Sequence, residues 1–450
     1  MHSRRNFLRG TLAVATTAAA ARNTDLDFAA IEAEANAELQ STHTPGVAIG
    51  IVKSGRLIYA QGFGTRNIET GEPITAKTLF RLGSTTKMLT ATTVASLAEG
   101  GKLEFQDAVG KHVPRLNNAI APLTINQVLS HTSGLKDEAV MNGRHDDHAL
   151  GEEILQWDRD WLFTTPGRIF SYSNPGFWLA GRVAESVAGA PYADVMEKHV
   201  FTPLNMSWTT LRPTMAMTRE LAQGHDFANG QISVVRPAAD NAANWPAGSV
   251  FSNLNDLTRF VVALMNGGVI DGAQIVSPHA VTALTTSHAA IPGGATKYGY
   301  GLDLDGSGAT LSWSHGGSRA GYGSFITMFP ARQEAVLVLC NRSGESLART
   351  RNKISQSLGM PVAPTNHDPG SIIEPASFGH YIGRYRNGGQ TLEIKNVSGR
   401  LCLQDTELRR TADGWLVGQD SRGEVRIFCV RDASGQTEYV FRGGRSFARA

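Results

Sequence analysis

Cysteine is scarce: the 450 residues hold three, Cys340, Cys402 and Cys429. None has metal-type spacing, so a cysteine-ligated metal or cluster is not expected. An oxidising compartment leaves a Cys402–Cys429 bridge open, with buried free thiols the preferred reading. An excess of one charge is missing too. The 42 Lys and Arg face 40 Asp and Glu, a formal net charge of +2. Without a basic tract, neither nucleic acid nor an anionic membrane surface is expected as a partner. No phosphate-binding glycine loop occurs. No apolar run reaches the ~18 residues needed to cross a bilayer, which argues against stable membrane insertion. Arg144-His145-Asp146-Asp147-His148 holds metal-type side chains, but lacks matched ligands nearby and reads as a solvated loop. No metal and no cofactor is called for. What remains is an ordinary core-forming composition, 41% hydrophobic and 18% charged, on a chain long enough for two or three domains.

The N-terminus is distinctive. Ser3-Arg4-Arg5-Asn6-Phe7-Leu8-Arg9 precedes a short apolar stretch and an alanine run ending at Ala19-Ala20-Ala21. This resembles a twin-arginine export signal spanning 1–21, and a periplasmic or secreted location is expected from it.

Three motifs carry chemistry. The first is Ser84-Thr85-Thr86-Lys87, preceded by Gly83 and followed by an apolar helical stretch that stops at Gly100-Gly101. An i,i+3 spacing puts Ser84 and Lys87 on one face at a helix start. A Ser hydroxyl needs a base beside it, and a Lys serves only if burial or a neighbouring cation lowers its pKa. The motif alone is weak, since a Ser opening a helix is commonly a cap. The second is Tyr172-Ser173-Asn174 between Pro166-Gly167 and Pro175-Gly176, read as a rigid extended loop that points Tyr172 and Asn174 the same way. A Tyr hydroxyl near a Lys ammonium would have a lowered pKa and could shuttle a proton. The third is His315-Gly316-Gly317-Ser318 after a strand-like run. Its glycines let a backbone approach a ligand closely and offer N–H groups to an oxyanion.

With these motifs in order, the chain resembles the serine β-lactamase/penicillin-binding-protein superfamily, most of all its class C β-lactamase, esterase and D-aminopeptidase branch. Leu129-Ser130-His131-Thr132-Ser133-Gly134-Leu135 and Ala247-Gly248-Ser249-Val250-Phe251-Ser252 are further family-like stretches. The resemblance implies that Ser84 is acylated and that Lys87 and Tyr172 share the proton transfers. It implies that Asn174 binds substrate and holds Lys87, and that the N–H groups of Ser84 and Ser318 form the oxyanion hole. His315 takes the place of the Lys in the β-lactamases' Lys-Thr-Gly. A His is only partly charged near neutral pH, which weakens the anchor for a β-lactam carboxylate.

The expected fold is α+β. A β-lactamase/transpeptidase-like antiparallel sheet flanked by helices, with a helical subdomain, would occupy 22–359. A proline-bearing linker covers 360–374. Short strand-like runs over 375–450 suggest a small β-barrel-like domain resembling the lipocalin-like C-terminal domain of some relatives. Beside the motifs, His131 reads as a turn former and the tryptophans as core, with Trp245 kept open as a pocket residue. Arg319 is read as either a substrate-carboxylate ligand or an exposed strand-end residue. The function expected is a serine hydrolase acting on an amide or ester. Its partner would be a small-molecule or peptide substrate, with a homo-oligomer left open. The alternatives are a true β-lactamase, or a slowly acylated binding or sensor protein without turnover.

Overall fold

A computed structural model describes residues 26–450 except 139, 361, 363–367 and 422. The 1–21 stretch read as an export signal lies outside the described residues. Helix α1 (Phe28–Thr42) opens on the Asp27 carboxylate, which accepts from Ala30 N at 2.9 Å. Eight strands then form one antiparallel sheet: β1 (Gly46–Lys53), β2 (Arg56–Gly64), β3 (Ala289–Ala290), β4 (Lys297–Tyr298), β5 (Asp303–Asp305), β6 (Ser312–Arg319), β7 (Tyr322–Phe329) and β8 (Glu334–Cys340). Their spatial order is β2-β1-β8-β7-β6-β5-β4-β3.

Both faces of the sheet are covered. Val47, Ile49 and Ile51 pack with Val336 and Val338 against Ile31 and Leu39 of α1 and Ile354 of α5 (Ala348–Ser357). Ala48, Leu337 and Leu339 belong to the second core, with Leu254, Leu257 and Val261 of α4 (Leu254–Met265). A strand buried on both faces reads as an unbroken apolar run, as β1 and β8 do. The long region between the first hairpin and α4 holds the two helices that build the site, α2 (Thr86–Glu99) and α3 (Asn174–Ala188), packed on each other.

Two strand-like runs of the sequence, 300–303 and 310–314, form ladders only in part. Tyr300-Gly301-Leu302 is a buried bend between β4 and β5, and Thr310 ends a short 3₁₀ turn rather than beginning β6. Apolar residues signalled burial there, and burial does not require a ladder.

The C-terminal sheet has nine strands: β9 (Gly383–Asn387), β10 (Gln390–Val397), β11 (Arg400–Leu403), β12 (Thr406–Glu407), β13 (Arg409–Arg410), β14 (Leu416–Asp420), β15 (Gly423–Arg431), β16 (Thr437–Arg442) and β17 (Arg445–Arg449). The spatial order is β12-β11-β10-β9-β17-β16-β15-β14-β13. It has its own core, including Tyr385, Ile394, Ile427, Val440 and Phe447. The sheet is nearly closed, for a Cβ placed on Gly418 of β14 would lie 2.3 Å from Glu407 O of β12. Nine strands fit because β12 and β13 are two residues each, too short to leave a periodic signal in sequence. This domain docks beside the site. Phe441 joins Phe170 and Tyr298 in one cluster, Ser446 Oγ donates to Phe170 O at 2.7 Å, and Trp415 Nε1 donates to Gly293 O at 2.7 Å. All three cysteines are free thiols.

Candidate active site

Ser84 lies in a 3₁₀ turn, Gly83–Thr85, that runs directly into α2. Gly83 holds φ +57°, and Gly317 lies so close that a Cβ there would sit 2.0 Å from Leu82 O and 2.3 Å from Ser324 Oγ. Glycine at 317 is therefore what lets β6 pass backbone-to-backbone against the Ser84 turn. Hydroxyls of Thr85 and Ser324 both donate to Leu82 O, at 2.9 and 2.6 Å, and lock the turn. Strand β6 pairs with β5 only through Ser312–Ser314. Among the described residues its edge beyond Ser314 has no strand neighbour on that side, so backbone from His315 to Ser318 faces a cavity of about 640 Å³ shared with Ser84, Tyr172, Asn174 and Asp303.

Lys87 is fully buried (0% exposed). Its Nζ lies 3.1 Å from Ser84 Oγ, 2.7 Å from Asn174 Oδ1 and 2.8 Å from Ala247 O. Burial holds its pKa well below that of an ordinary lysine; Asp137 opposes this and Arg445 adds to it. A neutral amine has two N–H bonds and one lone pair. In that form the carbonyl oxygens of Asn174 and Ala247 would take the two N–H bonds, leaving the lone pair for the Ser84 hydroxyl proton.

Asn174 is not in an extended loop, as its proline flank suggested. It is the first residue of α3, with Ser173 as N-cap accepting from Gly176 N at 3.3 Å and Pro175 in the first turn. Proline there has no N–H to satisfy and its φ suits a helix. The Asn174 amide is oriented by Asp137: Asn174 N and Nδ2 donate to Asp137 Oδ1 at 2.8 and 3.0 Å. Asp137 Oδ2 in turn accepts from Arg445 Nε at 2.7 Å. Neither Asp137 nor Arg445 was singled out from the sequence. Partners 308 positions apart leave no local signal, though Gly443-Gly444 marks the hairpin that presents Arg445.

Tyr172 differs from expectation. Burial pushes its hydroxyl pKa upward, and a hydrogen bond with Ser84 only partly opposes this. It is therefore a phenol, a proton donor, beside a lysine of depressed pKa whose Nζ lies 4.7 Å from its ring centre. Gly444 O of the C-terminal domain accepts from Tyr172 N at 2.9 Å and helps set its position.

His315 is also different. It is 4% exposed, and burial together with the Lys87 charge lowers its pKa to about 3. A directed hydrogen-bond chain accounts for all four ring nitrogens of two histidines. Ser173 N donates to His131 Nδ1 (3.1 Å), His131 Nε2 to Tyr298 Oη (3.2 Å), Tyr298 Oη to His315 Nε2 (3.2 Å), and His315 Nδ1 to Gly316 O (2.6 Å). The imidazole is thus neutral and engaged, not a partly charged substrate anchor. His131, at φ +59°, is the turn former expected and also starts this chain.

Arg319 is neither of the two things expected. At 4% exposure it bonds Ser249 Oγ and Ala239 O, both at 2.9 Å, away from the cleft. Burial lowers its pKa to about 9. Asp240 joins it to Arg81 in one buried cluster. Trp245 is buried core, its Nε1 donating to Asp240 Oδ1 at 3.4 Å, and does not line the cleft. In the 144–148 stretch, Arg144 pairs with Asp146, His145 with Asp240, and Asp147 with Arg212.

A helix-flanked antiparallel sheet carrying Ser, Lys, Tyr and Asn around one cleft defines a class of serine acyl-transfer proteins. The chain belongs to the beta-lactamase family, whose pattern matches residues 28–358. Protein flp of Staphylococcus aureus (strain MW2) is 26% identical over 317 residues, covering 68% of this chain and 62% of that protein. The chain thus spans less than two thirds of that relative. Among solved structures, SurE superposes with a TM-score of 0.77 at 24% identity, covering 94% of this chain and 99% of SurE. The octameric penicillin-binding protein homologue from Pyrococcus abyssi does so with a TM-score of 0.67 at 23% identity, covering 94% of this chain and 95% of that one. Among the described residues no helix is long and apolar enough to cross a membrane.

Proposed function

We propose that this protein is an exported serine hydrolase that cleaves an amide or ester through an acyl-Ser84 intermediate. The observation that carries the proposal is the environment of Lys87, a buried amine of depressed pKa whose third partner is the Ser84 hydroxyl at 3.1 Å. In this reading Lys87 takes the Ser84 proton as the oxygen attacks the acyl carbon. The developing oxyanion is held by the N–H groups of Ser84 and Ser318, with Gly317 allowing the approach. Tyr172, protonated, delivers a proton to the leaving group, and the same relay in reverse serves water in deacylation. Asn174 fixes Lys87 and lines the cleft. His315 orders the cleft wall through Tyr298 rather than binding charge, which disfavours a β-lactam carboxylate and makes a true β-lactamase the weaker reading.

The substrate class is a D-amino-acid-containing peptide, a peptidoglycan-type peptide or a small ester. SurE was also solved with D-Leu, which makes D-aminoacyl compounds the first to try. Export through the 1–21 signal, the division at 360–374, and a homo-oligomer, as in the Pyrococcus homologue, complete the proposal. The test is labelling of the mature chain with a fluorophosphonate, followed by turnover of nitrophenyl esters and D-aminoacyl anilides. One label on the Ser84 peptide and a loss of at least ~10³ in kcat in Ser84→Ala are expected. Equal labelling of Ser84→Ala defeats the proposal, and labelling without turnover favours a slowly acylated binding protein.

A further inference from the structure

Asp303 sits on β5, opposite Tyr298 of β4 and Ser314 of β6, and its side chain lines the same cavity as Ser84, Tyr172 and Ser318. Among the described residues its carboxylate has no hydrogen-bond or ion-pair partner, and the charged group that acts on it is Asp305, of the same sign. Among the described residues, the basic groups beside Ser84 are already engaged. Arg445 holds Asp137, and Lys87 is tied to Ser84, Asn174 and Ala247. His315 has both ring nitrogens engaged. Asp137 and Asp303 are therefore opposites. One carboxylate is fully built into the scaffold; the other faces the substrate space alone.

We infer that Asp303 is a specificity residue that pairs with a protonated nitrogen on the substrate, such as the ammonium of an aminoacyl donor. An isolated carboxylate in a recessed site is unfavourable, and burial with Asp305 pushes this carboxyl up to about 7. A cation brought by the ligand removes that cost, and a neutral ligand of the same shape does not. The inference rests on the acyl-Ser84 reading for its place in catalysis, but its charge preference is separable from turnover.

The experiment has two arms. In the first, kcat/KM is measured for the nitrophenyl esters of alanine, N-acetylalanine and propionic acid in wild type, Asp303→Asn and Asp303→Glu. Wild type should favour the ammonium ester over both neutral esters by at least about tenfold, equivalent to ~1.4 kcal/mol. Asp303→Asn should bring that ratio to within about twofold of one, and Asp303→Glu should retain part of it. A ratio near one in wild type, or a preference surviving in Asp303→Asn, overturns the inference while leaving the hydrolase reading intact. The second arm compares equilibrium binding of alaninamide and propanamide to Ser84→Ala and to Ser84→Ala/Asp303→Asn. Preferential binding of alaninamide that disappears in the double variant supports the inference even if no ester acylates Ser84, the result that would defeat the hydrolase reading instead. Equal binding of the two amides to Ser84→Ala overturns it.

Discussion

Three oxygens surround the Lys87 amine, and the protonation state decides what each does. As an ammonium it would donate to all three; as an amine it accepts from Ser84. Because Lys87 and Tyr172 meet at the same hydroxyl, their losses should not add. Kinetics of Lys87→Ala, Tyr172→Phe and the double variant should place the double close to the worse single; penalties that multiply would show two independent groups. His315 offers a second test. With a pKa of about 3, it does not titrate in the neutral range, so replacing it with Gln should leave the pH profile of a neutral ester without the loss of a histidine inflection near pH 6–7. Introducing the family's charged residue by His315→Lys should lower thermal stability, costing at least ~2 kcal/mol, because an ammonium would enter a 4%-exposed position whose neighbour is the Lys87 charge. Unchanged melting, with a gain in cephalosporin hydrolysis, would contradict that picture. The identity of these residues was legible in the sequence; their protonation was not. A His or a Tyr carries its ordinary pKa until burial and neighbours move it.

At the level of elements, the site is a meeting of the Ser84 turn, the start of α3 and the free edge of β6. The fit between the first and last depends on missing side chains. Gly317→Ala should displace the turn, since the new methyl would lie 2.0 Å from Leu82 O. A shift of this kind costs about 10²-fold in kcat where reacting groups are prepositioned. The fold should survive, with circular dichroism and the melting curve close to wild type; a fall in kcat matched by unfolding would place Gly317 in folding rather than in positioning. The first hairpin and the helices α1, α2, α3 and α5 carry a periodic apolar pattern in the sequence, and β7 and β8 carry apolar runs with β-branched residues. The start of α3 was misread because Pro175-Gly176 signals a turn and a helix first turn alike. Only the pairing of Ser173 Oγ with Gly176 N decides between them.

The molecule as a whole places a residue of its last hairpin in the network behind Ser84 and Lys87. Arg445 holds Asp137, which holds Asn174, which holds Lys87. Among these charges Asp137 raises the Lys87 pKa and Arg445 lowers it. A base of depressed pKa is active above that pKa and is lost as the pH falls through it. The acid limb of kcat/KM should therefore move to higher pH in Arg445→Ala and to lower pH in Asp137→Asn, measured on a neutral ester. Limbs that stay in place, or move in the opposite directions, would remove the C-terminal domain from the chemistry. The sequence by itself determined the family, the spacing that brings Ser84 and Lys87 together, the α+β architecture and the presence of a terminal β domain. Each rests on local spacing or on a periodic apolar pattern that survives without knowledge of partners. The tertiary structure alone decided that His315 is neutral and engaged, that Arg319 is buried, that Asp137 and Arg445 support the site, and that Asp303 stands unpaired in it. Those properties depend on burial and on contacts between residues distant along the chain, and no local pattern encodes either.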